Sequence, residues 1–299
     1  MRRMRAVVTG GAGFIGSNLV DALLDCGDVV VVVDDLSSGR RENVNPAATF
    51  AEADIRGGID AHGADVVFHL AAQADVQTSM RDPGYDAAVN VLGTVAVLEA
   101  ARAVGAQVVF ASTGGAIYGE CDAPADENAP RRPMSPYGIA KLCAEEYLAG
   151  WNRIHEARHV CLRLGNVYGP RQGASLEGGV AAIFLERMTR GEPTTVYGDG
   201  MQTRDFVFVG DVVGAFLGAV DHGGGVFNVG TGRETTVLEL HRACASVTGS
   251  EAEPAFAPAR TGDIRRSVLD VSRAANELGW RATTSLDDGL RRTLEWLVG

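Results

Sequence analysis

Apolar residues in the first half of the chain alternate between two patterns. Short, nearly unbroken valine-rich runs at Arg5–Thr9, Val29–Val33, Asp65–Leu70 and Gln107–Ser112 read as strands buried on both faces, as strands inside a parallel sheet are. Thr49–Ala53 is a weaker run of the same kind. Between them, Phe14–Cys26 and Asp86–Val104 carry apolar residues at helical spacing. A further helix near Ser135–Glu156 leads into a strand at His159–Leu164. Alternation in this order makes a parallel sheet with helices on both faces.

Beyond Gly165 the rhythm breaks. Prolines, paired glycines and arginines separate short strands expected at Thr194–Val196, Phe206–Val209 and Val226–Val229, with helices near Val180–Arg190, Thr236–Val247 and Leu286–Leu297. The pattern predicts an α/β domain over 1–167 with a returning segment at about 206–231, and a smaller mixed α/β domain from the rest of 168–299. No internal repeat or low-complexity tract separates them, so the two parts should pack around a cleft.

Composition narrows the function. The 299 residues are 46% hydrophobic and 22% charged, which excludes a disordered or fibrous chain. A net charge of −11 argues against a nucleic-acid partner or an anionic membrane surface, and an anionic substrate would need locally placed arginines. The five cysteines are scattered without a CxxC pair, as in a reducing compartment. The apolar stretch after Met1-Arg-Arg-Met-Arg5 is too short for a signal peptide, so a soluble cytoplasmic protein is expected. The 38 glycines exceed the usual ~7% and point to places where backbone approaches a ligand.

One such place is Gly10-x-x-Gly13-x-x-Gly16, set between the first strand and the first helix. The first glycine permits a tight turn, the second lets backbone approach a pyrophosphate, and the third lets helix and strand pack closely. The helix N-terminus offers N–H groups and a positive dipole end to the phosphates. Asp34, eighteen positions past Gly16 at the end of the next strand, is placed to accept from both hydroxyls of an adenosine ribose. Its charge also repels a 2′-phosphate, so NAD is expected over NADP. The second constellation is Tyr137-Gly-Ile-Ala-Lys141, two residues one helical turn apart on one face. A phenol near pKa 10 is a poor base at neutral pH, and a neighbouring ammonium favours its phenolate. His155-Glu-Ala-Arg-His159 spells a zinc-protease motif, but that motif needs one continuous helix, and here a helix should end and a strand begin within it. No metal is expected.

With these pieces the chain resembles the extended short-chain dehydrogenase/reductase family, specifically its nucleotide-sugar 4-epimerases. Other matching segments are Asp54-Ile55, His69-Leu-Ala-Ala72, Asn90-Val-Leu-Gly-Thr94, Ser112-Thr-Gly-Gly-Ala-Ile-Tyr-Gly119, Gly165-Asn-Val-Tyr-Gly-Pro-Arg171, Thr203-Arg-Asp-Phe206 and Arg260-Thr-Gly-Asp263. The resemblance implies a doubly wound NAD-binding (Rossmann) domain, a UDP-sugar in the cleft and a homodimer. It places Phe14, Ile15, Ser37, Ser38, Asp54, Ile55, Leu70, Ala71, Ala72 and Asn90 around NAD. It makes Tyr137 the base at the sugar 4-hydroxyl, with Lys141 at the nicotinamide ribose. Asn166, Arg204 and Arg260 would grip the diphosphate, Tyr197 would stack on the nucleobase with Thr195 nearby, and Asp263 would meet the ribose. Gln77, Ser79 and Ser267 would border the sugar, and Arg171 would be free to meet a sugar carboxylate.

One position departs from the family pattern. A Ser or Thr hydroxyl usually stands where this chain has Gly114, so Thr113 is expected to supply it. Gly115-Ala116 carries no carboxylate where related dehydratases and decarboxylases do, which leaves reversible hydride transfer at one carbon. The expected reaction is NAD-dependent epimerisation at C4 of a nucleoside-diphosphate hexose, UDP-glucose/UDP-galactose foremost. UDP-glucuronic acid or a UDP-N-acetylhexosamine are the alternatives within the class, and a catalytically idle NAD-sensing regulator is the alternative outside it.

Overall fold

The computed structural model describes residues 3–173, 179–259 and 264–299. Its first part runs β1 (Arg5–Thr9), α1 (Phe14–Asp25), β2 (Val29–Asp34), β3 (Thr49–Glu52), β4 (Val66–His69), α2 (Val76–Arg81), α3 (Pro83–Ala87), α4 (Gly93–Val104), β5 (Gln107–Thr113), α5 (Gly114–Ile117), α6 (Pro136–Ile154) and β6 (Val160–Leu164). There follow β7 (Asn166–Tyr168), α7 (Val180–Thr189), β8 (Thr195–Tyr197), β9 (Thr203–Arg204), β10 (Phe206–Phe208), α8 (Val209–Gly218) and β11 (Gly225–Val229). The chain closes with β12 (Thr235–Thr236), α9 (Val237–Thr248), β13 (Ala255–Ala257), α10 (Ser272–Glu277) and α11 (Leu286–Val298).

Seven strands form one parallel sheet in the order β11-β6-β5-β4-β1-β2-β3. Its register sets Val7 of β1 between Val31 of β2 and Val67 of β4. All three are valines because both faces of the sheet are covered and β-branched side chains fill that space well. On one face α1 and α8 bring Leu19, Leu23, Val212 and Phe216; on the other α4 and α6 bring Val97, Leu98, Ala144 and Leu148. Chain order reverses between β1 and β4, and the crevice beyond their carboxyl ends is where a doubly wound fold binds its ligand. A separate core built from Phe184, Leu185, Leu240 and Leu290 joins α7, α9 and α11 on the other side of that crevice.

Three elements differ from the pattern read in the sequence. The helix expected over Asp86–Val104 begins earlier, at Pro83 capped by Asp82, and contains a π-helical turn at Ala88–Leu92. Within this 22-residue run an 18-residue window reaches a mean hydropathy of 1.5, long and apolar enough to cross a membrane, yet the run packs against the sheet through Val97, Leu98 and Ala101. The strand expected over Phe206–Val209 stops at Phe208, and Val209 opens α8. Valines and three glycines disguise that helix, whose stability comes from covering the sheet rather than from propensity. Strand β11 pairs with β6 in full parallel register, so the chain leaves the sheet after Leu164 and re-enters it at Gly225.

Candidate active site

The turn between β1 and α1 is shaped by what cannot fit there. Gly10 has a φ of +72°, and a Cβ on it would lie 2.6 Å from the Ala71 nitrogen. Gly13 takes the N-cap position with no side chain capping the helix, so the first-turn N–H groups of α1 remain available to an anion. Asp34 is 7% exposed; Oδ2 accepts from the Ala12 N–H at 2.9 Å and Oδ1 from the Leu36 N–H at 2.9 Å. Burial pushes its carboxyl above the ordinary value, and these two N–H donors pull it back. A second lone pair on each oxygen remains for a diol.

This turn opens into a cavity of about 560 Å³. Gly10, Gly13, Phe14, Ile15, Gly16, Asp34, Ser37, Ser38, Asp54, Ile55, Leu70, Ala71, Ala72, Tyr137 and Lys141 all line it. Asn90 does not. It is buried behind the wall, where Oδ1 accepts from the Gln73 N–H at 3.0 Å and Nδ2 donates to the Gln73 carbonyl at 2.8 Å, so Gln73 faces the cavity in its place. The residues fit a dinucleotide: a glycine cradle no Cβ could share, an uncapped helix end for the phosphates and a carboxylate for the ribose.

At the other end of the cavity, Tyr137 and Lys141 project from the first turns of α6, begun by Pro136 and capped by the Ser135 hydroxyl. Thr113 ends β5, and its hydroxyl faces the Tyr137 phenol, where it favours the phenolate. Gly114 explains itself in the same place. A Cβ there would lie 2.6 Å from Leu269 Cδ2, so the leucine fills the space a Ser or Thr would need. Lys141 is 3% exposed, donates from Nζ to the Ala111 carbonyl at 3.0 Å and lies 4.7 Å from the Phe110 ring centroid. Burial lowers its pKa to about 8. The expectation that the lysine lowers the phenol pKa is corrected. Burial pushes Tyr137 up, the Asp86 carboxylate pushes the same way, and the Thr113 hydroxyl opposes them.

A fully buried polar network stands behind this end. The Ser112 hydroxyl donates to Glu145 Oε1 at 2.6 Å, and Glu145 Oε2 accepts from Arg163 Nη2 at 2.6 Å. Arg163 Nη1 reaches the Tyr118 hydroxyl at 2.8 Å, which donates to Asn228 Oδ1 at 2.7 Å. Tyr137, Lys141 and Glu145 recur every four residues on one face of α6. The network therefore fixes that face against the end of β5 and against β6 and β11.

The sugar side is assembled from distant segments. Asn166 opens β7, and its Oδ1 lies 3.5 Å from where a Gly115 Cβ would be, beside Thr113. Tyr197 lines a second cavity of about 290 Å³ with Asp199, Gln202 and Arg265, and Thr195 lies two residues earlier on the same strand. Arg204 Nη1 donates to the Thr203 and Ile264 carbonyls. Arg260 and Asp263 fall outside the described residues.

Four expectations on this side are corrected. Ser79 is wholly buried with its hydroxyl bonded to the Val76 carbonyl, and Gln77 points to solvent; Thr78, between them, lines the first cavity instead. Arg171 lies on the dinucleotide side, where its Nη2 pairs with Asp21 of α1 at 2.5 Å. Ser267 is 6% exposed, tied by its N–H to the Thr203 carbonyl, and lines neither cavity. Gln202, Thr78 and Leu269 were not foreseen, because no local motif marks a residue whose role comes from a distant neighbour. His155 and His159 share no helix: α6 ends at Ile154, and His159 Nδ1 accepts from the Val108 N–H.

Comparison with known proteins agrees with this geometry. Residues 6–230 match the NAD dependent epimerase/dehydratase family. A UDP-glucose 4-epimerase of Mycolicibacterium smegmatis is 47% identical, with 98% of each chain covered. Among solved structures, the UDP-glucose 4-epimerase of Thermotoga maritima with UDP-glucose is similar at a TM-score of 0.96 and 46% identity, covering 99% of both chains. The Thermus thermophilus UDP-glucose 4-epimerase complex with NAD follows at 0.92 and 43%, again over 99% of both.

Proposed function

The chain belongs to the NAD dependent epimerase/dehydratase family, and from that premise we propose how its own residues invert a UDP-hexose at C4. It is an NAD-dependent UDP-glucose 4-epimerase, and the observation that carries the reading is the Thr113–Tyr137–Lys141 group at one end of a dinucleotide cavity. Bound NAD supplies the two-electron acceptor and donor at C4. Tyr137 takes the proton from O4 as C4 is oxidised to the ketone and returns it when C4 is reduced from the opposite face. The Thr113 hydroxyl aligns the phenol with O4 and favours its phenolate, and Lys141, one helical turn along α6, holds the nicotinamide ribose.

In this reading Gly10, Gly13, Gly16 and Asp34 hold the dinucleotide, and Asn166, Arg204, Arg260 and Asp263 hold the uridine diphosphate. Tyr197 stacks on the base, and Gln202, whose Nε2 donates to the Tyr197 carbonyl at 2.8 Å, braces it. Residues 1–167 with 206–231 serve the dinucleotide and the remainder serves the sugar nucleotide. Leu92, Ile139, Tyr147 and Ile154 leave apolar surface exposed around α4 and α6, which supports pairing of two copies there.

Interconversion of UDP-glucose and UDP-galactose by the purified protein tests the reading. Tyr137→Phe should lower kcat by roughly 10²–10⁴-fold with the melting temperature unchanged, the usual weight of one acid–base group. Full activity in that variant would refute Tyr137 as the base.

A further inference from the structure

Six carboxylate, ammonium or guanidinium side chains are buried among the described residues: Asp34, Asp86, Lys141, Glu145, Arg163 and Asp205. Buried charges persist only when compensated. Glu145 and Arg163 compensate each other at 2.6 Å. Asp34 is held by the Ala12 and Leu36 N–H groups. Asp205 is held by the N–H groups of Thr231 and Gly232 and by the Thr231 hydroxyl. Lys141 and Asp86 remain, one on α6 and the other on α3, two helices packed along each other.

Asp86 is completely buried. Its Oδ1 accepts from Gln73 Nε2 at 2.8 Å and Asn90 Nδ2 at 3.0 Å, while Oδ2 has no donor at all. Lys141 uses one bond, to the Ala111 carbonyl. We propose that Asp86 is a positioning residue for the reaction: the buried counter-charge of Lys141, which sets the range of pH over which the Tyr137–Lys141 pair works.

The electrostatics agree in direction. Asp86 favours the ammonium of Lys141 and disfavours the phenolate of Tyr137, while the Lys141 charge holds the Asp86 carboxyl down against its burial. The other titratable groups facing Lys141 are Glu145 on its own helix, Cys161 on β6 and His69 on β4. Glu145 already spends its charge on Arg163. The Cys161 thiol is driven up by burial and stays neutral, and burial takes His69 down to about 3, so it is neutral as well. Asp86 is therefore the acidic group among them that a neutral substitution can remove without unpairing a second buried charge other than Lys141.

The inference rests on Tyr137 and Lys141 carrying the reaction, and its test separates the two. In an active wild-type enzyme, Asp86→Asn keeps the shape and removes the charge. Both limbs of the kcat–pH profile should move to lower pH by about one unit, the scale of a near charge pair. Asp86→Glu, which keeps the charge, should restore them. A uniform fall in kcat with unmoved limbs, or a move to higher pH, would overturn the proposal. If Asp86→Asn does not fold, Asp86→Ser, which leaves room for water, takes its place with the same criteria. An inactive wild type would refute the epimerase reading instead.

Discussion

In the function proposed above, the two sides of the cleft recognise their ligands by opposite means. On the dinucleotide side the contacts come from backbone: an uncapped helix end, a left-handed glycine and one carboxylate already braced by two N–H groups. On the sugar side they come from side chains of β7, β8, β9 and the 264–267 segment, held in place by one another. Arg265 pairs with Asp199 at 2.6 Å, Arg266 pairs with Glu234, and Arg204 is anchored on two carbonyls. A backbone site is rigid and indifferent to which side chains surround it, so long as none intrudes. A side-chain site is adjustable and can be retuned one residue at a time, which suits the part of the ligand that varies between substrates.

If that contrast holds, the largest effect should come from one methyl group in the backbone site. Gly10→Ala imposes a side chain at φ +72° and 2.6 Å from Ala71. The strain of ~1–3 kcal/mol should weaken NAD binding by about 10–100-fold in a direct titration. Unchanged affinity would show that the cradle adjusts after all. The next effect lies at the junction of the two sides. Thr113→Val removes the hydroxyl that meets Tyr137 and should cut kcat by roughly tenfold, about the worth of one hydrogen bond to a charged group. Ser112→Ala should instead leave kcat within about threefold and cost ~1–3 kcal/mol of stability in denaturant unfolding, because a donor is lost from buried Glu145. Equal effects on rate would erase the distinction between the neighbours.

The smallest effect is one of pH. With the Lys141 pKa near 8, the ammonium loses its proton as pH rises through that value. In the proposed mechanism its hold on the nicotinamide ribose weakens with the lost charge, so kcat should decline on the alkaline side of about pH 8. Lys141→Arg, always charged, should lose that limb whatever its absolute rate.

The same contrast explains what could be read from the chain alone. The glycine cradle, Asp34 and the Tyr137/Lys141 pair were legible because each is a local pattern whose spacing dictates its geometry. The valine runs located the sheet strands for the same reason. Arg171 pairs with Asp21, 150 positions away, a contact that no local motif announces. The motif suggests Asn90 at the cavity wall, whereas the structure sets it behind Gln73, on a π-helical turn. Helix α8 was hidden by a valine- and glycine-rich composition that only its contact with the sheet overrides. Gly114 could be recognised as a departure, but its complement Leu269, arriving from the far end of the chain, could not.

The late return of β11 to the sheet has a consequence for how the protein is made. While the ribosome is still supplying residues 165–224, β6 (Val-Cys-Leu-Arg-Leu) waits with one flank unpaired, an apolar ribbon able to recruit a strand from another nascent chain. Only when Val229 has emerged is that flank closed, by five parallel pairings ending at Leu164, and Asn228 delivered to Tyr118 and Arg163. The seven-stranded sheet therefore cannot be completed before the intervening residues 165–224 have been synthesised. Fragments cut to its apparent boundary at 167 should be recovered as aggregates, while chains extended past 231 should remain in solution.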